Sequence, residues 1–513
     1  MWVRRRLEWI TAVAAAALGA AYLLLPLMGS DLSAQTARAG FFAGHGYTPI
    51  DLRWYAGVDQ LGYSLLAQPV MALLGVRVAG VLAMIATSVL LAVLLRRAGA
   101  PRPWAGALLG AACVAGNLVS GRVTYAIGVC FAVGALVVLT APRLRLLAAI
   151  PALLAAAASP VVGLFTGLIG AALLLSGRVR DGLAIAVPAA LPLALNATLL
   201  GDGGWMNISH ADATRAIATS LLVAALVPHR PVRVAGVLSA LGVLAAALIH
   251  TPVGLNATRL SVMFALPVLA AYAALPGRGG RSRPAHAWLL VPLLAGVCVL
   301  QPPVVAGDVA DIGNPTADRA YFAPLLGRLA RQALTGRVEI PPTRDYWEAA
   351  YLGDVPLARG WLRQADIARN PLFFTAIPGA AGTGVPLTAN AYRGWLAEQA
   401  VQFVAVPDAV LTWSGRPEAA LIGAGLPYLT PVWQDAHWRL YAVADPRPIV
   451  AAPAALVAYT ATTLTIEAPA AGDIGVRVRY YRWLSSSGGA IVRPDGVWTL
   501  LRVPSPGRYL LTS

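Results

Sequence analysis

Across the first three hundred positions, apolar residues run in long blocks and polar residues gather in short clusters between them. The blocks cover 7–28, 78–95, 104–119, 123–140, 147–158, 161–175, 182–200, 216–227, 234–249, 260–275 and 288–305. About 20 apolar residues carry a helix across a bilayer, so this pattern predicts a polytopic α-helical membrane protein of about 11 spans. Two blocks, 147–158 and 216–227, are short for a full crossing. Ser159-Pro160 separates two of the blocks, which predicts either a tight hairpin near one face or a broken helix buried among its neighbours.

Beyond about residue 306 the pattern changes. Strand-like stretches at 337–342 and 401–406 flank a helical periodicity at 388–400, as expected for mixed α/β structure. From about 450 onward, apolar and polar residues alternate between Gly, Pro and Asp turns, which predicts a small β-sandwich. The expected domains are 1–306 in the membrane, 307–445 as an α/β region and 446–513 as the sandwich.

Composition agrees with this division. Hydrophobic residues make up 58% of the chain and charged residues 12%, against roughly 25% charged in soluble domains, and mean hydropathy is +0.67. The net charge of +16 would suit a nucleic-acid partner, but all the basic residues are Arg, clustered between apolar blocks. That placement is a topology signal, and no nucleic-acid partner is expected. Such an Arg-only, Ala-rich chain fits a high-GC bacterial genome.

With the N-terminus cytoplasmic, the inner segments hold Arg4 to Arg6, Arg96, Arg97, Arg102, Arg143, Arg145, Arg178, Arg180, Arg230, Arg233, Arg278, Arg281 and Arg283. The outer segments hold only Arg38, Arg53, Arg77, Arg122, Arg215 and Arg259. This bias predicts a multi-pass plasma-membrane protein, cytoplasmic at its N-terminus, with the region after residue 306 extracytoplasmic. The first thirty residues have the form of a secretory signal, but their apolar block is long enough to span and reads as an uncleaved anchor. Cys113, Cys130 and Cys298 all lie in apolar blocks, which leaves the polar third without a disulfide framework or a Cys-based zinc site.

Candidate chemistry concentrates in 31–68, directly after the first block: Asp31, His45, Asp51, Arg53, Trp54, Tyr55, Asp59 and Tyr63. Aromatic faces stack on the C–H patches of sugars, and carboxylates accept hydroxyl protons. An amphipathic loop in the headgroup belt would have the same composition. Asp31 stands where a partly shielded carboxylate acts as a general base, and also where an Asp caps a helix. His45, between two glycines, reads as a turn residue, and no metal-ligand spacing occurs. Arg259 stands at the outer end of a span, where it would bind a lipid phosphate or snorkel to headgroups. Asn256 lies beside it in sequence, and Arg122 flanks a short outer turn.

An acidic residue just after span one, many spans and an outer C-terminal region together resemble the GT-C superfamily of membrane glycosyltransferases, which use polyprenyl-phosphate sugars. Gly254-Leu255-Asn256-Ala257-Thr258-Arg259-Leu260 is similar to the approach to a late span in actinobacterial proteins of this kind, and the stretches 345–352, 357–366 and 438–443 share their texture. Family members often carry an acidic pair at the first loop; here Asp31 is followed by Leu32 and Ser33, which leaves a second carboxylate to Asp51 or Asp59.

The resemblance implies an inverting transferase with Asp31 as base and Arg259, with Asn256 and Arg122, at the donor phosphate. An acceptor group drawn from Asp51, Asp59, His45, Trp54 and Tyr55 would complete the site. The donor substrate would be a polyprenyl-phosphate sugar, the acceptor a cell-envelope glycan or lipid, and Trp347, Trp361, Trp395 and Trp438 would hold the acceptor. A transporter or flippase, or an envelope-assembly scaffold, is the rival class. A transporter places ionisable groups within spans near the midplane, and these spans carry almost none.

Overall fold

The computed structural model describes residues 2–275, 283–284 and 287–513; Arg278 and Arg281 of the inner Arg set fall outside them. The chain is helical in its first three hundred residues and β-rich toward its C-terminus. The helices of the first three hundred residues are α1 (Trp2–Leu24), α2 (Leu32–His45), α3 (Ala67–Leu74), α4 (Val76–Arg97), α5 (Pro103–Val119), α6 (Val123–Leu139), α7 (Ala149–Ala158), α8 (Pro160–Leu175), α9 (Val179–Leu195), α10 (His210–Leu226), α11 (Arg230–Leu248), α12 (Arg259–Tyr272) and α13 (Ala287–Leu300). Five stretches are long and apolar enough to cross a membrane: Arg6–Leu24, Val76–Arg97, Val179–Leu200, Arg230–Leu248 and Gly254–Tyr272. Pro103–Val119, Val123–Leu139, Pro160–Leu175 and Trp288–Leu300 are shorter apolar helices.

Small residues set the helix packing, as they must where lipid removes the hydrophobic drive between helices. A Cβ on Gly182 of α9 would lie 2.7 Å from the Gly170 carbonyl oxygen of α8, so these two helices meet backbone to backbone. Ser159 alone separates α7 from α8, with Pro160 at the first turn of α8, where its missing N–H costs nothing. The Ser159-Pro160 signal therefore marks a tight hairpin, pinned from the segment 31–68 by the Ser64 hydroxyl, which donates to the Ala158 carbonyl at 2.8 Å.

Residues 31–68 are not a surface loop. They form α2, a hairpin of Ile50–Asp51 and Val58–Asp59, and α3. Leu32, Ala37, Trp54, Tyr55 and Val58 belong to one apolar cluster with Phe322, Trp347, Leu357 and Trp438 of the region after residue 306. Ile50 and Leu52 pack instead with Leu464, Val476 and Leu501 of the C-terminal strands. The segment is thus a wedge between the helices and everything after residue 306.

Outside the helices, Arg337–Glu339, Val401–Pro407, Trp438–Val443 and Leu429–Gln434 lie side by side in that order. The first pair is parallel and the others antiparallel. Arg359 sits buried between Glu418 (3.0 Å), Asp366 (2.9 Å) and Glu339 (3.6 Å). The last sixty residues form two antiparallel sheets. Ser485–Ser486, Gly507–Thr512, Thr463–Ala468 and Ala455–Tyr459 make one, and Gly472–Arg479, Trp498–Val503 and Ile491–Asp495 the other. Alternate residues of both, among them Leu464, Ile466, Val476, Val478, Leu501 and Leu511, bury in one shared cluster, as period-two patterning requires.

Candidate active site

Asp31 occupies the N-cap position of α2, but its side chain makes no capping hydrogen bond. Its carboxylate instead faces two arginines: Arg259 Nη2 donates to Oδ2 at 3.3 Å, and Arg122 Nε lies 3.4 Å from the same oxygen. Among the described residues Oδ1 accepts no hydrogen bond. One oxygen is anchored and the other is free to receive a proton. All three side chains are partly shielded, with 13%, 21% and 19% exposure for Asp31, Arg122 and Arg259.

Two close backbone approaches bring these groups together. Gly29 has φ +105, and a Cβ there would lie 2.4 Å from the Val119 carbonyl oxygen; Gly121 has φ +74, and a Cβ there would lie 2.5 Å from the Leu32 nitrogen. Only glycine accepts both the left-handed backbone and the contact. The turn after α1 and the turn between α5 and α6 thereby interlock, with Asp31 N–H donating to the Ser120 carbonyl at 3.1 Å. Arg122 precedes α6 and Arg259 opens α12. A helix N-terminus carries partial positive charge and disfavours cations. Two arginines and three helix N-termini therefore converge on Asp31, with a second carboxylate, Asp308, bonded to the neighbouring Ser30 and Ser120.

An apolar cavity of about 610 Å³ begins beside it. Tyr125, Leu260 and Ser261 line one end and Thr140, Arg178, His229 and Tyr272 the other. The 15 residues from Tyr125 to Thr140 on and just past α6, at 1.5 Å each, give a length of about 22 Å. The Arg259 guanidinium rests over the Tyr125 ring at 5.3 Å, so Arg259 adjoins the Tyr125 end of the cavity.

Several partners around Asp31 carried no sequence signal. Asp308, just past α13, accepts the Ser30 N–H at 3.0 Å and the Ser120 hydroxyl, and so clamps both interlocked turns. It lies in the short helix Ala306–Val309 that follows the last long apolar helix, and this place is the one clue the sequence offers. Trp361 Nε1 donates to the Ser30 carbonyl at 3.0 Å from the outer region. The Tyr63 hydroxyl accepts from Gln35 Nε2 at 2.8 Å, and Thr124 of α6 donates to Gln35 Oε1. Burial pushes the Tyr63 phenol above its usual range, and Asp31 adds to this; Arg38, the Gln35 bond and Arg259 oppose it.

The other expected site residues lie elsewhere. Asp51 is fully buried, ion-paired to Arg53 at 2.7 Å and bonded by Gln60 at 2.9 Å. Asp59 is buried in the hairpin, where its carboxylate accepts the Gly62 N–H; burial, the largest cause, pushes it up to about 7. Trp54 and Tyr55 are each 1% exposed, with the Tyr55 hydroxyl bonded to the Gly360 carbonyl, so neither presents a face to an acceptor. His45 is exposed at the end of α2 and packs on Phe41. Asn256 bonds Met206 Sδ at 3.4 Å and does not join the arginines. Of the four tryptophans expected to hold the acceptor, Trp347, Trp395 and Trp438 are buried in core clusters, and Trp361 is partly buried beside Asp31. Among the described residues, no group of three or more His, Cys, Asp or Glu side chains could hold a metal ion.

No protein-family model and no curated protein matches the sequence. Among solved structures, the chain is similar to the arabinofuranosyltransferase AftD from Mycobacteria, at 16% identity and a TM-score of 0.46 over 86% of this chain and 40% of that one. It is also similar to an arginine-to-serine mutant of AftD in two classes: at 16% identity and 0.45 over 86% and 42%, and at 18% identity and 0.43 over 86% and 41%. The chain spans about two-fifths of the length of these structures.

Proposed function

We propose that this protein is a membrane glycosyltransferase that moves a sugar from a polyprenyl-phosphate donor to a cell-envelope glycan or lipid acceptor. The observation that carries this reading is the placement of Asp31 between Arg122 and Arg259 beside one end of a long apolar cavity. A polyprenyl phosphodiester has one negative charge and a long apolar tail. The Arg122 and Arg259 guanidiniums pair with the first, and the cavity accommodates the second. Both the sequence resemblance to the GT-C superfamily and the site geometry support the same assignment of roles.

In this mechanism the acceptor hydroxyl attacks the anomeric carbon and passes its proton to Asp31 Oδ1. The bond from the anomeric carbon to the phosphate oxygen breaks, and the polyprenyl phosphate leaves with the electron pair. Arg122 and Arg259 stabilise the charge that develops on that oxygen, where preorganised donors act most strongly. One displacement inverts the anomeric centre. We read α1 and α4 to α13 as eleven passes, the domains as 1–306, 307–445 and 446–513, and the terminal pair of sheets as a β-sandwich. The site and outer region are assigned to the extracytoplasmic face by the Arg bias.

The test is reconstitution in vesicles with a labelled polyprenyl-phosphate sugar. Formation of a new glycosidic bond, with the donor KM raised about tenfold or more in Arg259→Ala, is the expected result. Movement of label across the bilayer without any new bond would assign the protein to transport instead.

A further inference from the structure

The site as described has a base and a phosphate clamp but nothing yet to orient the acceptor. Beside Asp31, the rings of Tyr63 and Trp361 meet at 87° with centroids 6.3 Å apart, and both are partly buried. Their neighbours are otherwise locked. The Arg38 guanidinium lies 4.0 Å above the Tyr63 ring and is itself fully buried, bonded only through Nη1 to Gln60 at 2.8 Å, with Nε and Nη2 unpartnered. Gln35, fixed by Thr124, occupies a lone pair of the Tyr63 hydroxyl. Among the described residues the Tyr63 hydroxyl proton has no acceptor, so it is free to be donated. Trp361 is held in its turn by its bond to the Ser30 carbonyl, one residue from Asp31.

We propose that Tyr63 and Trp361 form a monosaccharide subsite on the acceptor side of Asp31. The Trp361 face packs against the C–H patch of the ring, and the Tyr63 hydroxyl donates to a ring oxygen. This rests on the glycosyltransferase reading, because it assigns the acceptor's sugar to a corner that Asp31 can reach. A ring face and one outward donor at right angles match a pyranose or furanose, which presents an apolar face and hydroxyls at its rim. The cation below Tyr63 draws density from the ring and strengthens the phenol as a donor. The phenol's raised proton affinity keeps that donor protonated throughout the neutral range.

The experiment uses full-length protein in nanodiscs and two probes. A panel of methyl pentosides and hexosides is measured by saturation-transfer NMR, and decaprenyl phosphate retention by native mass spectrometry. Wild type is expected to bind at least one methyl glycoside. Tyr63→Phe should weaken that binding about fivefold, the loss of one neutral hydrogen bond, and Trp361→Ala about tenfold or more. Trp361→Phe, which keeps a ring but loses the Ser30 bond, should stay within about threefold of wild type. Decaprenyl phosphate retention should be unchanged in all three variants.

Glycoside binding unchanged in Tyr63→Phe and Trp361→Ala, or no glycoside bound by wild type that retains decaprenyl phosphate, overturns the subsite and leaves the donor site standing. Equal loss of both probes in the variants also overturns it, since these residues would then serve the fold or the donor. Glycoside binding lost in the variants, with a wild type that retains no decaprenyl phosphate, supports the subsite and contradicts the donor reading.

Discussion

Asp31 has one carboxylate oxygen held by cations and the other uncommitted among the described residues, an asymmetry that the proposed role as base requires. A structural pair such as Asp51 and Arg53 is buried and bonded through both oxygens. At this scale the sequence revealed more than its composition suggests. Asp31 stood out by its place after the first span, and Arg259 by standing at the end where basic residues are rare. Sequence could not show that Trp54 faces inward, since its covering residues, Leu357 and Trp347 among them, lie three hundred positions away. Nor could it rank Tyr63 above Tyr55, because the difference is made by Gln35, Thr124 and Trp361. The arginines should not be equivalent: Arg259 hydrogen-bonds Asp31, whereas Arg122 Nε is ion-paired to it without a hydrogen bond. Arg122→Ala should raise the donor KM with little loss of thermal stability, and an unchanged donor KM would remove Arg122 from the phosphate site.

Among the elements, the two interlocked turns do most to shape the site. Gly121→Ala forces a Cβ into the Leu32 backbone at a left-handed φ. It should cost roughly 1–2 kcal/mol from backbone strain alone and reduce turnover by more than it lowers Tm, because Asp31 and Arg122 move apart. Normal turnover with a normal Tm would contradict that coupling.

The hairpin makes a second prediction, through pH. Burial raises the folded Asp59 carboxyl to about 7, above its value in the unfolded chain. Its stabilising contribution is therefore present below the unfolded pKa near 4 and is lost as pH rises through about 7. Asp59→Asn should gain Tm over wild type between pH 5 and pH 8, on the order of 5 °C; parallel pH profiles for the two proteins would refute this. The apolar blocks revealed the helices by length alone, whereas α2 and the hairpin were hidden because their apolar residues answer to tertiary partners and show no clean period.

Taken whole, the molecule is joined at a seam rather than by a linker. Asp202, from the turn between α9 and α10, accepts Arg369 Nη2 at 2.9 Å and the Tyr481 hydroxyl at 2.6 Å on Oδ1, and the Asp59 N–H at 2.9 Å on Oδ2. One carboxylate thus ties the helices, the first outer segment, the α/β region and the terminal sheets. Asp202→Ala leaves a buried guanidinium without its partner, a loss of about 3–5 kcal/mol. Faster proteolysis of the region after residue 306 is the expected readout, and an unchanged digestion pattern would argue against the seam. The sequence shows three compositional zones but not this tie, since nothing in the pattern links position 202 to 369 and 481.

The central claim is that Asp31 removes the acceptor proton while the two arginines hold the donor, and Asp31→Asn separates those roles. In nanodiscs with a polyprenyl-phosphate sugar, the variant should retain the donor at least as well as wild type, because a negative charge beside the phosphate is gone. Its kcat should fall by about 10²–10⁴, the contribution of a positioned general base. Transfer at the wild-type rate by a variant that still binds donor would contradict the account.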